Sequence, residues 1–169
     1  AGARNWEEAL GDIRGTMDLH VLTVTYRITE QIAVKATELL TAAGGDAPEL
    51  HPVREGADVQ VHDITPEQLA ELVTKTVANI PGRAAVIAPD DQIDELSAQL
   101  LAASDEFGIG DKALDAPIAI LSARDTKGLE FDVVFVIDPA AMGSQTKRGA
   151  DLYVAATRAT QVMHLVNWL

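Results

Sequence analysis

PIAILSARDTKGLEFDVVFVI (Pro117–Ile137) contains two short apolar runs, Pro117–Leu121 and Val133–Ile137, which flank a polar loop that includes Gly128. Short apolar runs bounded by turn residues are typical of strands that are buried on both faces of a parallel sheet. In such sheets the loops that follow the carboxyl ends of the strands line the ligand crevice. The stretch therefore predicts an α/β fold and places its polar loop where a ligand site is expected.

The rest of the chain alternates between strand and helix patterns, which predicts an α/β domain with a mainly parallel sheet. Further strands are predicted at His20–Thr25, Val59–Ile64, Ala84–Ala88 and Val162–Val166. Helices are predicted over residues 29–43 and 148–159, after the Thr65-Pro66-Glu67-Gln68 start, and after a cap at Asp90 or Asp91. Residues 44–57 and 104–116 are predicted to be loops, and residues 139–147 a turn.

Length and composition limit the class of protein. A chain of 169 residues with 47% apolar residues is long enough for one domain with a sizeable core. No apolar run approaches the about 18 residues of a membrane span. The lack of cysteine excludes disulfides and suits a cytoplasmic location, and the scattered histidines predict no metal site. Because the chain does not begin with Met, its start is expected to be a cut inside a longer protein.

The net charge of −13 is unevenly distributed along the chain. Residues 1–116 hold 8 basic and 21 acidic residues, whereas residues 117–169 hold 5 of each. Binding through phosphate neutralisation needs clustered Lys and Arg, so the composition argues against a simple nucleic-acid binder. The acidic part is either a solvated face, which is the more common case, or a surface for a basic protein partner.

Two motifs in the last third place charged side chains where they can meet a ligand. Lys127–Phe131 puts the carboxylate of Glu130 at the predicted crevice, where it can accept hydrogen bonds from a ribose hydroxyl; the alternative is an ordinary surface turn. Leu152–Ala159 puts Arg158 on a predicted helix packed by alanines, where its planar guanidinium can bind a phosphate; the alternative is a surface salt bridge.

A third motif, Thr25-Tyr26-Arg27, stands between a predicted strand and a predicted helix. An aromatic ring beside a guanidinium can stack on a base and contact a phosphate, although such pairs are common. No Gly is followed directly by Lys, so the chain has no Gly-x-x-x-x-Gly-Lys-Ser/Thr phosphate loop. The chain therefore offers groups that can meet a nucleotide without the loop that cradles its phosphates.

These segments together resemble three motifs of the UvrD/Rep-type superfamily 1 helicases. Residues 22–27 resemble motif IV, residues 121–131 motif V and residues 152–159 motif VI, in the order that these helicases have. The resemblance is to their C-terminal RecA-like motor domain, and helicase IV and HelD-like proteins are the most similar group. It implies a three-layer α/β fold that lacks its own phosphate loop.

The resemblance also implies the extent of the domain and the groups that meet ATP. Residues 1–169 are expected to be a single domain, with residues 1–18 as a lead-in segment that follows motif III. Tyr26 would stack on the adenine and Glu130 would bind the ribose. Arg27 and Arg158 would reach the γ-phosphate as arginine fingers, which makes them the expected catalytic residues.

The same resemblance implies contacts with nucleic acid and with a second motor domain. Ser122, Arg124 and Lys127 would touch the nucleic-acid backbone and couple it to the ATP site. ATP and Mg²⁺ are the implied cofactors of the full-length protein, and an N-terminal motor domain, absent from this chain, would supply the phosphate loop and the Mg²⁺ ligands. The expected function is the C-terminal half of an ATP-dependent DNA helicase or translocase, and the isolated chain is predicted to be inactive.

Two alternatives of other classes stay open at this point. HelD-like proteins act on RNA polymerase, so the acidic surface could belong to a protein-interaction module without unwinding activity. The domain could also be a degenerate copy with only a structural role.

Overall fold

The computed structural model of the protein describes residues 24–144 and 148–169, except for the side chain of Arg148. The predicted lead-in at residues 1–18 and the first part of the predicted strand His20–Thr25 lie outside this description. In the described residues, strands and helices alternate along the chain as the sequence pattern predicts.

The strands are β1 (Val24–Thr25), β2 (His51–Pro52), β3 (Gln60–Ile64), β4 (Ala84–Ala88), β5 (Phe107–Ile109), β6 (Ile118–Ser122), β7 (Phe131–Ile137) and β8 (Ala159–Trp168). The α-helices are α1 (Glu30–Ala42), α2 (Pro66–Val77), α3 (Ile93–Ala103), α4 (Pro139–Gly143) and α5 (Arg148–Ala156). Six strands form one sheet in the order β3-β8-β7-β4-β6-β5, and its pairings are parallel. The short strands β1 and β2 form a separate parallel pair. The predicted α/β fold with a mainly parallel sheet is confirmed.

Helices cover both faces of the six-stranded sheet, which gives the predicted three layers. On one face, α1, α4 and α5 contribute Ile32, Met142 and Leu152 to a continuous apolar core. On the other face, α2 and α3 contribute buried leucines, among them Leu69 and Leu100. Strands β4 and β7 lie in the middle and are covered on both sides, which is why β4 and residues 133–137 of β7 are continuous apolar runs.

The N-terminal cap of α2 agrees with the prediction from the sequence, whereas that of α3 does not. The backbone N–H of Thr65 donates to the Gln68 side chain (3.0 Å), so α2 begins as its sequence predicts. The N-cap of α3 is Gln92 and neither Asp90 nor Asp91, so that prediction is wrong. The Gln92 side chain donates to Asp138 (2.9 Å), because a tertiary partner at the end of β7 is within reach.

Three segments predicted as loops or turns contain short elements. Strand β2 lies in the predicted loop 44–57, β5 in the predicted loop 104–116, and α4 in the predicted turn 139–147. Each has two to five residues, too few to show a periodic pattern. Their formation depends on a neighbouring strand or a cap. Among the described residues, no helix has the length and apolar character needed to cross a bilayer.

Candidate functional site

Arg158 lies in the turn between α5 and β8, not on a helix as predicted. The Thr157 hydroxyl donates to the Tyr153 carbonyl (2.9 Å) and so closes the last turn of α5. The backbone N–H of Phe131 donates to the Arg158 carbonyl (3.0 Å), which starts the pairing of β7 with β8. The predicted helix 148–159 is therefore three residues too long, because strand pairing takes over after Ala156.

Backbone carbonyls hold the guanidinium of Arg158 in place. Its Nε donates to the Val154 carbonyl (3.1 Å) and its Nη1 to the Leu129 carbonyl (3.1 Å). Burial lowers the pKa of Arg158, the positive charge of Arg27 lowers it further, and the carboxylate of Glu130 opposes both effects. An arginine remains charged at neutral pH in any such environment, so the site holds a fixed positive charge.

Arg27 lies close to the same carboxylate. Its Nε is 2.6 Å from Oε1 of Glu130, and about half of each side chain is exposed. Arg27 follows β1 in a turn in which its backbone N–H donates to the Thr25 hydroxyl (3.3 Å). Two guanidinium groups, from Arg27 and Arg158, therefore share one acidic neighbour although their positions in the sequence are far apart.

A surface groove of about 330 Å³ contains Tyr26, Arg27 and Arg158 in its lining, together with Leu50 and Tyr153. The Tyr26 side chain is 72% exposed, so most of its ring is free to stack on a ligand. An aromatic ring, two guanidinium groups and a carboxylate are groups that bind a base, phosphates and a ribose, respectively. The structure thus brings together the four residues predicted to meet ATP.

This cluster lies at the opposite edge of the sheet from the one that the sequence indicates. Glu130 immediately precedes β7 and Arg158 immediately precedes β8, so both are at the amino ends of strands. The interpretation that Glu130 lies in a crevice at the carboxyl ends of the strands is wrong. The reason is that residues 123–130 run back along one face of the sheet, where Ala123 and Leu129 pack against the core of α1 and α5.

Two of the three residues predicted to touch nucleic acid lie at the other edge. Ser122 ends β6, and its hydroxyl donates to the Asp125 carboxylate (2.8 Å). Arg124 is 3.5 Å from the Asp90 carboxylate, which follows β4, and both side chains are exposed. From the strand register, Ser122 and the start of β7 are about 20 Å apart along the strands.

Lys127 lies between the two groups, on the loop of residues 123–130. Its side chain is exposed, and no ion pair to it is found within residues 24–144 and 148–169. The next residue, Gly128, has φ of +80°, a conformation that side chains other than glycine's rarely adopt. Gly128 therefore allows the turn after Lys127 that returns the chain to Glu130.

Arg54 is a residue of this site that sequence reasoning missed. Its Nη1 donates to the Arg27 carbonyl (3.2 Å) and lies 3.5 Å from the Tyr26 carbonyl. Arg54 lies in a segment predicted to be a loop, and no pattern in the sequence links it to a motif 27 residues away. Only the fold reveals the contact.

The described residues contain no group of three His, Cys, Asp or Glu side chains that could hold a metal ion. Two acidic side chains near the predicted site residues are paired with arginines, Glu130 with Arg27 and Asp90 with Arg124. The described part of the chain therefore offers no cluster of side chains that would hold a metal ion by itself.

Comparison with known protein families finds a match in the last third of the chain. Residues 117–166, under a third of the chain, match the family model of the UvrD-like helicase C-terminal domain. The matched stretch includes the segments that resemble motifs V and VI and does not reach Tyr26 or Arg27. No curated protein sequence matches the chain significantly. The matches do not separate helicase IV and HelD-like proteins from other relatives, so that narrower assignment stays a prediction.

Two solved structures are similar to this chain in fold. The C-terminal domain of a possible DNA helicase from Lactobacillus plantarum WCFS1 matches with a TM-score of 0.65 and 23% identity, over 85% of this chain and 87% of that chain. A DEAD box protein from Methanococcus jannaschii matches with a TM-score of 0.43 and 11% identity, over 78% of this chain and 42% of that one, which is too distant to support an argument. Residues 117–166 are therefore similar to the UvrD-like helicase C-terminal domain, and the fold is like that of the C-terminal domain of a possible DNA helicase.

Proposed function

We propose that this chain is the C-terminal motor half of an ATP-dependent DNA helicase or translocase. In this proposal Tyr26, Arg27, Glu130 and Arg158 form one wall of an ATP site, and an N-terminal motor domain of the same protein forms the other wall. The observation that carries the proposal is the ion pair between Arg27 and Glu130 beside a groove that is lined by Tyr26, Arg27 and Arg158. Opposed charges of this kind fit a nucleotide, which presents both phosphates and ribose hydroxyls.

The proposed chemistry depends on fixed positive charge. Negative charge develops on the oxygens of the γ-phosphoryl group during transfer, and an arginine held in place stabilises it without first having to be ordered. Arg158 meets this condition, because its Nε and Nη1 are already bound to carbonyls. Arg27 would join when the two domains close, with one Glu130 oxygen left to accept a ribose hydroxyl. The Mg²⁺ that accompanies ATP would be held outside the described residues.

The loop of residues 122–130 supports a coupling role. Ser122 and Arg124 at one end are the proposed contacts to the DNA backbone, with Lys127 between, and Glu130 at the other end belongs to the proposed ATP site. A shift at either end can be transmitted through this short packed segment. No described feature favours the RNA polymerase alternative, which would use the acidic surface of the domain.

Replacing Glu130 by Gln tests the proposed site. In the full-length protein we expect the variant to raise the KM for ATP by about tenfold, because a neutral amide accepts hydrogen bonds less strongly than a carboxylate. The wild type should also discriminate against 2′-deoxy-ATP or 3′-deoxy-ATP, and the variant should lose this discrimination. The measurement is steady-state hydrolysis of the three nucleotides.

The matched control for this experiment is Glu106→Gln. Glu106 is an exposed carboxylate that precedes β5, three strands away from β7, and its variant should behave as the wild type. Equal KM values for all nucleotides in the Glu130→Gln variant and the wild type would contradict the ribose contact and weaken the proposed site.

Replacing Lys127 by Ala tests the proposed DNA contact. One phosphate contact fewer should lower the slope of log affinity against log salt by about 1, without changing preference among sequences. The measurement is binding of single-stranded DNA by the full-length protein between low and moderate salt. Lys75→Ala is the control, because Lys75 forms an ion pair with Glu71 on α2. An unchanged slope in the Lys127 variant would place the DNA elsewhere.

A further inference from the structure

A short segment, His51–Gly56, crosses the start of α1, and we call it the strap. Its first two residues pair in parallel with β1. The backbone N–H of Val53 then donates to the Thr25 carbonyl (3.2 Å), and the Arg54 carbonyl accepts from the N–H of Glu30 (2.8 Å). The strap is thus bonded to the chain on both sides of the turn that carries Tyr26 and Arg27.

The side chain of Arg54 spans this turn. Its Nη1 donates to the Arg27 carbonyl at 3.2 Å and approaches the Tyr26 carbonyl at 3.5 Å. Within the described residues, the other hydrogen bond to the backbone of Tyr26 or Arg27 is that from the N–H of Arg27 to the Thr25 hydroxyl (3.3 Å). Both side chains are exposed, and Arg27 is also held at its far end by the ion pair with Glu130 (2.6 Å). Arg54 is therefore the side chain that contacts the backbone of both residues of the turn.

The far end of the strap is fitted closely to α1. The backbone N–H of Gly56 donates to the Gln31 side chain (2.9 Å). A Cβ atom at Gly56 would collide with the side chain of Thr29, which is buried, so this position has no room for a larger residue. These contacts fix the position of the strap relative to α1, and with it the position of the Arg54 backbone.

We propose that Arg54 is a positioning residue, which holds the backbone of Arg27 so that its guanidinium stands at the proposed phosphate site. This role rests on the proposed function. A guanidinium forms directed contacts to a carbonyl while its charge adds to the positive potential of the groove. Misplacement of a catalytic group by about 1 Å can cost up to about 100-fold in rate, so a contact to the backbone alone can matter for the reaction.

The test uses the full-length protein and the Arg54→Met variant, which keeps the length of the aliphatic chain. We expect kcat/KM for ATP to fall by about tenfold, with an unchanged midpoint of thermal unfolding, because Arg54 is exposed. Arg83→Met is the matched control. Its guanidinium also donates to a carbonyl, that of Leu114, on the side of β4 away from the groove, and its loss should leave hydrolysis unchanged.

A second measurement separates positioning from general support of the fold. The affinity for a fluorescent ATP analogue is measured for Arg54→Met in the wild-type background and in an Arg27→Met background. If Arg54 acts through Arg27, its several-fold effect in the first background disappears in the second. An equal loss in both backgrounds would overturn the inference, as would unchanged kinetics in Arg54→Met.

The Arg158→Met variant shows which proposal fails. If Arg158→Met loses hydrolysis while Arg54→Met does not, only the role of Arg54 is wrong. If Arg158→Met hydrolyses ATP at the wild-type rate, the proposed function is wrong and the role of Arg54 falls with it.

Discussion

Full-length protein carrying Arg158→Met is expected to hydrolyse ATP about 10³-fold more slowly than the wild type, the lower end of the range for removal of an arginine finger. The loss should be mainly in kcat, because the charge that Arg158 would stabilise develops in the transition state. The structure gives this residue the largest expected effect, since its guanidinium is half-buried and already held by two carbonyls. A preorganised charge contributes more than a mobile one.

Arg158→Lys should restore little of the rate. A lysine ammonium keeps the charge, but it cannot donate to the carbonyls of Val154 and Leu129 while also presenting a fork to a phosphate. The measurement is single-turnover and steady-state hydrolysis with saturating DNA. Arg83→Met is again the control, because it removes an arginine at the same edge of the sheet but on the other side of β4. Near-normal kcat in both Arg158 variants would exclude a role of Arg158 as an arginine finger and leave a structural role for the domain.

The stability of the domain is expected to fall by about 3 kcal/mol as the pH is lowered from 6.5 to 4, through His164 alone. His164 is buried on β8, stacked on Phe135 with 4.7 Å between ring centroids, and its Nδ1 lies 3.0 Å from Nε2 of His62. Burial first, and the neighbouring His62 second, lower the pKa of His164 to about 4. Its Nε2 has no hydrogen-bond partner within the described residues.

The direction of the effect follows from proton binding. In the unfolded chain His164 takes up a proton near pH 6.5, whereas in the folded protein it stays neutral down to about pH 4. Between these values the unfolded state binds more protons, so the free energy of unfolding decreases as the pH falls. Well above pH 6.5 neither state is protonated at this position, and the full stability is present.

His164→Leu should remove this pH dependence. We expect the variant to unfold within about 1 kcal/mol of the wild type at pH 7 and to be the more stable of the two at pH 4.5. Urea unfolding at both pH values measures the difference, and carboxylates common to both proteins cancel. His51→Gln is the control, because His51 is exposed beside Glu49. Parallel loss of stability in the wild type and the His164→Leu variant would show that His164 is not the source.

The sequence predicts several of the long elements because their patterns are local, although β8 (Ala159–Trp168) is twice as long as the predicted strand Val162–Val166. Strand β4 has the predicted bounds, since all five of its residues are apolar and buried. Helix α2 begins at Pro66 as predicted, because its start signal lies within four residues. The sequence predicts loops or a turn where the short elements β2, β5 and α4 form. Strands of two or three residues form only beside a partner strand, and α4 is capped by the side chain of Asp138.

The candidate site was predictable in its residues but not in its geometry. Chemistry and resemblance indicate Tyr26, Arg27, Glu130 and Arg158. Tyr26, Arg27 and Arg158 line one groove, and Glu130 forms an ion pair with Arg27. Arg54 was missed, because its contact with the Arg27 backbone depends on where the strap crosses α1. Contacts of this kind leave no periodic signal in a single sequence.

By itself, the sequence determined that the chain forms an α/β domain with a buried parallel sheet, because apolar strand and helix patterns are properties of neighbouring residues. Only the tertiary structure decided that Glu130 and Arg158 lie at the amino ends of β7 and β8, and that Ser122 and Arg124 lie at the other edge. The physical reason is that strand order and the path of residues 123–130 are set by packing between distant segments. The choice of edge depends on that packing and cannot be deduced from spacing along the chain.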